Sequence, residues 1–160
     1  RPAPLLAHRD VVERMWAGHL AAGMEQLLPA VGEPMREMSF DEYFAWTPLD
    51  PAQTVRVGPF EVECRPTIHH IPTTALRIRA GGRCLGYSAD TAFDPTLVEW
   101  LSAADLIIHE TNYGVHTPYE RLAELPADLR ARMRLIHYPD AFDLEGSVIE
   151  PLVQGRRYEV

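Results

Sequence analysis

Cysteine is scarce in this chain: two residues, Cys64 and Cys84, in 160. Both sit in apolar, strand-like stretches, so they read as buried thiols; a disulfide framework would need more of them. The compartment expected from that usage is the cytoplasm. No apolar run approaches the ~20 residues that cross a bilayer, so no membrane span is expected. Basic charge is also short. Fifteen Lys+Arg face 23 Asp+Glu, for a net charge of −8. That balance disfavours long-range attraction to nucleic acid or an anionic membrane, while leaving room for a local basic patch. Repeats, low-complexity tracts and linkers are absent. So are a phosphate-cradling glycine loop, a cysteine pair at zinc-knuckle spacing and basic–aromatic alternation for stacking single strands.

What is present is globular. The chain is 46% hydrophobic and 24% charged, which is enough for one domain with a core, residues 1–160, and is unlike a disordered chain. In "HRDVVERMWAGHLAAGMEQLL", Val12, Met15, Trp16, Leu20, Met24 and Leu27 recur at helical spacing. His8 and His19 on this stretch read as surface or packing residues. "SFDEYFAW" has a capping-box spacing, Ser39 to Glu42, for a short helix. Residues 1–50 are therefore expected to be a helical segment and 54–160 a sheet region.

The second region opens with alternating Val55, Val57, Phe60, Val62 and Cys64 around a turn at Gly58-Pro59. "TALRIRAGGRCLGYS" reads as a hairpin turning at Gly81-Gly82. Asp94 and Pro95 start a helix as N-cap and first-turn proline. "DLIIHE" is a short buried strand, "PYERLAEL" and "PADLRARM" open helices with proline, and "RLIHYPD" returns to strand. The tail "VIEPLVQGRRYEV" is expected at a sheet edge. The class is α/β or mixed α+β.

Four of these strands share one design, an apolar run whose end carries a titratable group. "VECRPTIHH" ends at His69-His70, "CLGYSAD" at Asp90, "DLIIHE" at His109-Glu110 and "RMRLIH" at His137. A desolvated carboxylate or imidazole without a partner is costly, and a divalent metal is a partner that suits both. Taken singly, each tip also reads as a satisfied core or capping residue, and Thr91 as part of a helix cap. The pattern leaves shared chemistry and that plainer reading open. "GYSAD" resembles a nucleophile elbow around Ser88, but Asp90 stands where the closing glycine belongs.

Taken in order, "HHIPTTALRI", "LGYSADT", "ADLIIHETN" and "RLIHYPD" resemble the second half of a metallo-β-lactamase-superfamily hydrolase. The branch they are most similar to is the tRNA 3′-end-processing endonucleases and related phosphodiesterases. The resemblance covers roughly residues 55–140 and is specific as a set. It implies an αββα sandwich of which this chain supplies about half. It implies two zinc ions, with iron or manganese as alternatives. His69 would bind the first metal (with His70 the alternative), Asp90 would bridge both, and His137 would bind the second. Glu110 and His116 would form a pair that positions or protonates the leaving group, with Tyr113 an alternative proton source. Asp90, Glu110 and His116 are thus the catalytic candidates, and His109 and Thr91 are secondary ones.

The superfamily's leading His-x-His-x-Asp-His signature is absent, and no two histidines are spaced by one residue. The expectation is a carboxyl-terminal portion of a longer enzyme, paired with the missing amino-terminal half or with another copy. The function the resemblance implies is metal-dependent hydrolysis of a small phosphodiester or RNA, weak or absent in the isolated portion. Its competitors are a non-catalytic protein-binding member of the fold and a di-iron redox relative.

Overall fold

The computed structural model describes every residue from Arg1 to Val160. The backbone divides into two compact units, Arg1–Leu49 and Asp50–Val160.

In the first unit the helical stripe forms a helix. Helix α1 (Arg9–Met15) continues through a π-helical turn, Trp16–Leu20, into α2 (Ala21–Met24). Val12 and Ala21 are buried, and Met15, Trp16, Leu20 and Met24 are half-buried. His8 caps α1, its Nδ1 accepting the Asp10 amide at 3.3 Å, and His19 is exposed. The unit is not only helical. Strand β1 (Ala3–His8) and a strand at Phe44–Leu49 pair in parallel along their whole length. Between them lie the short pair β2 (Gln26–Leu27) and β3 (Arg36–Glu37). The capping box is present, with the Ser39 amide donating to Glu42 Oε2 at 2.8 Å. The helix it opens, α3 (Phe40–Tyr43), is shorter than the motif suggests, because Phe44, Ala45 and Trp46 run on as β4 (Phe44–Leu49). Aromatic rings favour strand backbone, and here Phe40 packs edge-on against Trp16 and Trp46.

The second unit is a six-stranded sheet in the order β10-β9-β8-β7-β6-β5. Strands β5 (Val55–Val57), β6 (Phe60–Pro66), β7 (Thr74–Ala80) and β8 (Arg83–Tyr87) form an antiparallel meander. The β7–β8 turn is Gly81-Gly82, with φ of 57° and 80° that side-chain-bearing residues resist. Helix α4 (Pro95–Leu101) then carries the chain to β9 (Leu106–Glu110). Helices α5 (Tyr119–Ala123) and α6 (Ala127–Ala131) carry it to β10 (Met133–Ile136). Such crossovers make the pairings parallel, as observed for β8/β9 and β9/β10. Because β6 and β8 both run antiparallel to β7, the strands β6, β8, β9 and β10 all point the same way. Their carboxyl ends therefore line one edge of the sheet.

Asp94 caps α4 by accepting the Thr96 amide at 2.8 Å. Leu97 and Leu101 then bury against Ile107, Leu122, Met133 and Leu135 in one cluster. The strand and helix touch at Gly86, where a Cβ would lie 3.1 Å from Leu101 Cδ2 and 3.2 Å from the Ala104 Cβ. On the opposite sheet face, the register aligns Val62, Ile78 and Leu85, and beside them Cys64, Leu76 and Tyr87. A sheet apolar on both faces is what a layered sandwich requires. The tail does return to the sheet edge, bridging Pro151 to Leu135.

Candidate functional site

Beyond β8 the Ser88 amide still donates to the Ile108 carbonyl at 3.0 Å, and then the chain turns. Ala89 has φ +52°, and just past β10 His137 has φ +59°. They are the two non-glycine residues with positive φ. That conformation costs free energy in L-residues and persists only where surroundings impose it. Both strained residues stand at the sheet edge where the four tips converge. His137 Nδ1 lies 3.3 Å from Asp90 Oδ1 and 3.8 Å from Glu110 Oε2.

Glu110 is 1% exposed, and a carboxylate so buried needs donors. Its Oε1 accepts the Thr91 amide at 2.8 Å and His116 Nδ1 at 2.9 Å. Its own amide donates to Ser88 Oγ at 2.9 Å. His116 reaches it because the 111–117 loop folds back on itself. Thr111 Oγ1 and the Asn112 amide donate to the Thr117 carbonyl at 2.9 and 3.2 Å. Thr117 Oγ1 donates to the Thr91 carbonyl at 2.9 Å. Asn112 Nδ2 donates to the His137 carbonyl at 2.8 Å, tying the strained residue to the same loop.

His69 and His70 ride on the β6–β7 loop. The His69 ring lies 4.2 Å from that of His70 and 5.0 Å from that of His116, which is 4.9 Å from that of His137. Burial first, and then the neighbouring His70, hold the His69 imidazole below the ordinary histidine value. His70 is exposed. His109 is a core residue. It is 1% exposed, its Nδ1 donates to the Glu110 carbonyl at 2.7 Å, and burial lowers its pKa to about 4. Thr91 is fully buried and supplies its amide to Glu110 rather than its hydroxyl, which donates to the Ala92 carbonyl. Tyr113 is 71% exposed. The outer part of the 111–117 loop, Asn112 and Tyr113, walls a cavity of about 450 Å³ together with Tyr119, Pro139, Phe142 and Asp143; Asp90, Glu110, His116 and His137 do not line it.

Asp90, His116 and His137 each offer one donor atom, and these lie within 4.8 Å of one another. Imidazole and carboxylate together suit zinc and its first-row neighbours. Two buried polar atoms of the same cluster, His69 Nδ1 and Glu110 Oε2, have no hydrogen-bond partner. Such atoms are rare in folded proteins, and a cation held in this cluster would offer them a partner. The residues fit a metal. Of the residues expected at the site, Asp90 and His137 share one donor group with His116, and the His69 ring lies 5.0 Å from that of His116. Nothing in the sequence pattern marks Asn112 and Thr117 as ties of the 111–117 loop, or Ser88 as the acceptor of the Glu110 amide.

The profile described as "Anti-Pycsar protein Apyc1" matches residues 1–147. The chain belongs to that family. An Anti-Pycsar protein Apyc1 of Bacillus phage 010DV004 is 28% identical, over 99% of this chain and 66% of its own length. The cAMP/cGMP-dependent 3′,5′-cAMP/cGMP phosphodiesterase B of Dictyostelium discoideum is 29% identical over 80% of this chain and 13% of its own length. This Apyc1-family chain thus spans less than two thirds of each. Among solved structures, the metallo-β-lactamase-fold protein YhfI of Bacillus subtilis superposes with a TM-score of 0.61 at 19% identity, covering 88% of this chain and 52% of YhfI. Human tRNase Z, short form, gives 0.51 at 19% identity, covering 86% and 61%. The fold is the metallo-β-lactamase fold, and the matched relatives include proteins named as phosphodiesterases.

Proposed function

We propose that the protein is a metal-dependent phosphodiesterase whose substrate is a small 3′,5′-cyclic nucleotide. The observation that carries this is the convergence of Asp90, His116 and His137 donors within 4.8 Å, backed by the buried Glu110. The substrate class comes from the names of the Dictyostelium relatives, which are 3′,5′-cyclic nucleotide phosphodiesterases. The net charge of −8 suits a small phosphodiester better than a long RNA. The cavity of about 450 Å³ walled in part by Asn112 and Tyr113, on the loop that carries His116, falls within the usual size of a small-molecule site.

In this reading Asp90 and His137 would hold the ion, with His69 as a further ligand. A zinc-class ion, when bound, supplies Lewis acidity toward a phosphoryl oxygen. The rest is done by side chains. Hydrolysis joins a water oxygen to phosphorus and breaks one phosphorus–ester oxygen bond. The proton goes to the departing sugar oxygen, and the product is a nucleoside monophosphate. Glu110 fixes the His116 tautomer by taking Nδ1–H, so Nε2 is the atom that delivers the proton. Buried Thr91 and Ser88 hold Glu110 in turn. A second reading is favoured by the donor grouping itself, in which His116 is the third ligand.

The test is turnover of cyclic nucleotides and bis(p-nitrophenyl) phosphate by the full-length protein, with elemental analysis alongside. Metal-dependent turnover is expected. A folded, metal-free and inert protein would leave the non-catalytic reading standing, and iron in place of zinc with redox activity would favour the di-iron one.

A further inference from the structure

The loop between β6 and β7 closes at its neck. The Thr67 amide donates to the Thr73 carbonyl at 3.1 Å. The two threonine hydroxyls touch each other, and both reach the same acceptor, the backbone carbonyl of Asp90, at 2.8 Å from Thr67 Oγ1 and 2.9 Å from Thr73 Oγ1. Three oxygens are in mutual contact, and the two hydroxyls bring two protons. Either hydroxyl can therefore donate to the carbonyl, directly or with the other relaying. Next along, the Ala92 amide donates to the Ile68 carbonyl at 2.7 Å, so the loop and the β8 tip are stitched on both sides of Asp90.

This clamp lies at the residue that follows the left-handed Ala89, φ +52°, and the loop it closes carries His69 and His70. We infer that Thr67 and Thr73 are positioning residues that hold the Asp90 carboxylate and the His69 imidazole in one fixed arrangement at the candidate metal site. The inference rests on the reading of Asp90 as a metal ligand. The clamp is redundant, since either hydroxyl can serve the carbonyl alone. The loss on removing both should therefore exceed the combined loss from removing each.

The experiment is Co²⁺ titration of the full-length protein, followed by the visible d–d absorption of the bound ion, with the melting temperature of the metal-free protein as a fold control. Thr67→Val and Thr73→Val should each weaken Co²⁺ binding by only about 2- to 3-fold, the low end for one lost hydrogen bond, because the remaining hydroxyl still serves the carbonyl. The double valine variant should weaken it by about 10- to 100-fold, as loss of groups that orient metal ligands does, with an altered absorption spectrum. Thr67→Ser and Thr73→Ser, which keep the hydroxyls, should restore both affinity and spectrum. A folded double valine variant with wild-type affinity and spectrum overturns the inference. If that variant does not fold, the single valine variants decide by the same criterion. A wild-type protein that binds no Co²⁺ instead removes the metal-site reading itself, and this inference with it.

Discussion

His116 Nδ1 lies 2.9 Å from Glu110 Oε1, although the two residues are separated by an exposed turn containing Gly114. An imidazole whose Nδ1–H is spent on a buried carboxylate has one nitrogen left for chemistry. The two roles open to that nitrogen, ion ligand and proton donor, make different demands on the leaving group. With a proton donor, His116→Ala should slow hydrolysis of a 3′,5′-cyclic nucleotide by about 10²-fold or more. The same variant should slow bis(p-nitrophenyl) phosphate far less, because nitrophenolate leaves without a proton. Equal losses on both substrates, with lower metal content, would assign His116 as a ligand.

Glu110→Gln should keep the fold and lower kcat on cyclic nucleotides by a factor similar to His116→Ala, since the amide can still accept from the Thr91 amide but no longer stabilises an imidazolium. Glu110→Ala should also destabilise the fold by about 1–3 kcal/mol, because the buried Thr91 amide loses its acceptor. Steady-state kinetics and thermal melts of the two variants check this. A Gln variant of wild-type kcat would detach Glu110 from the proton pathway.

How far this arrangement was legible from residues alone depends on distance along the chain. The Gly81-Gly82 hairpin, the Asp94–Pro95 cap and the capping box are local, so their residues announced them. Asp90, Glu110 and His137 were visible because each ends an apolar run, and parallel topology brings such ends together. The Glu110–His116 pair is expected from the family resemblance alone; the residues themselves do not show it, because it needs the 111–117 loop to fold back through Thr111, Asn112 and Thr117, whose hydrogen bonds have no periodicity to detect. The β1–β4 pairing was not legible for a similar reason. It joins the two ends of the first unit, and Pro4 and Pro48 argue locally against strand, being tolerated only because each strand of a two-stranded sheet is an edge.

His109 should make stability fall in mild acid. Burial sets its folded pKa at about 4, below the ordinary 6.5. As pH falls, the unfolded chain takes the proton first, so stability is intact above about 6.5, declines between 6.5 and 4, and loses nothing further from this group below that. The full loss is roughly 3 kcal/mol. Urea unfolding of the metal-free protein across that window, with NMR of the His109 ring, checks it. A ring titrating near 6.5 in the folded state would contradict it.

Gly86→Ala should destabilise by about 1–3 kcal/mol through overpacking against Leu101 and Ala104. The site residues lie beyond the end of β8, so metal affinity of the folded fraction should be unchanged. A variant as stable as wild type in urea would mean that α4 can move away from the strand at little cost.

The central claim is that the tips of β6, β8, β9 and β10 form one cation site. Its most direct test is zinc content, by elemental analysis, of full-length wild-type protein and of Asp90→Asn and His137→Gln after dialysis against trace zinc. Bound zinc in the wild type and its loss from both folded variants is the predicted result. Equal zinc in all three, or none in a folded wild type, would contradict the claim.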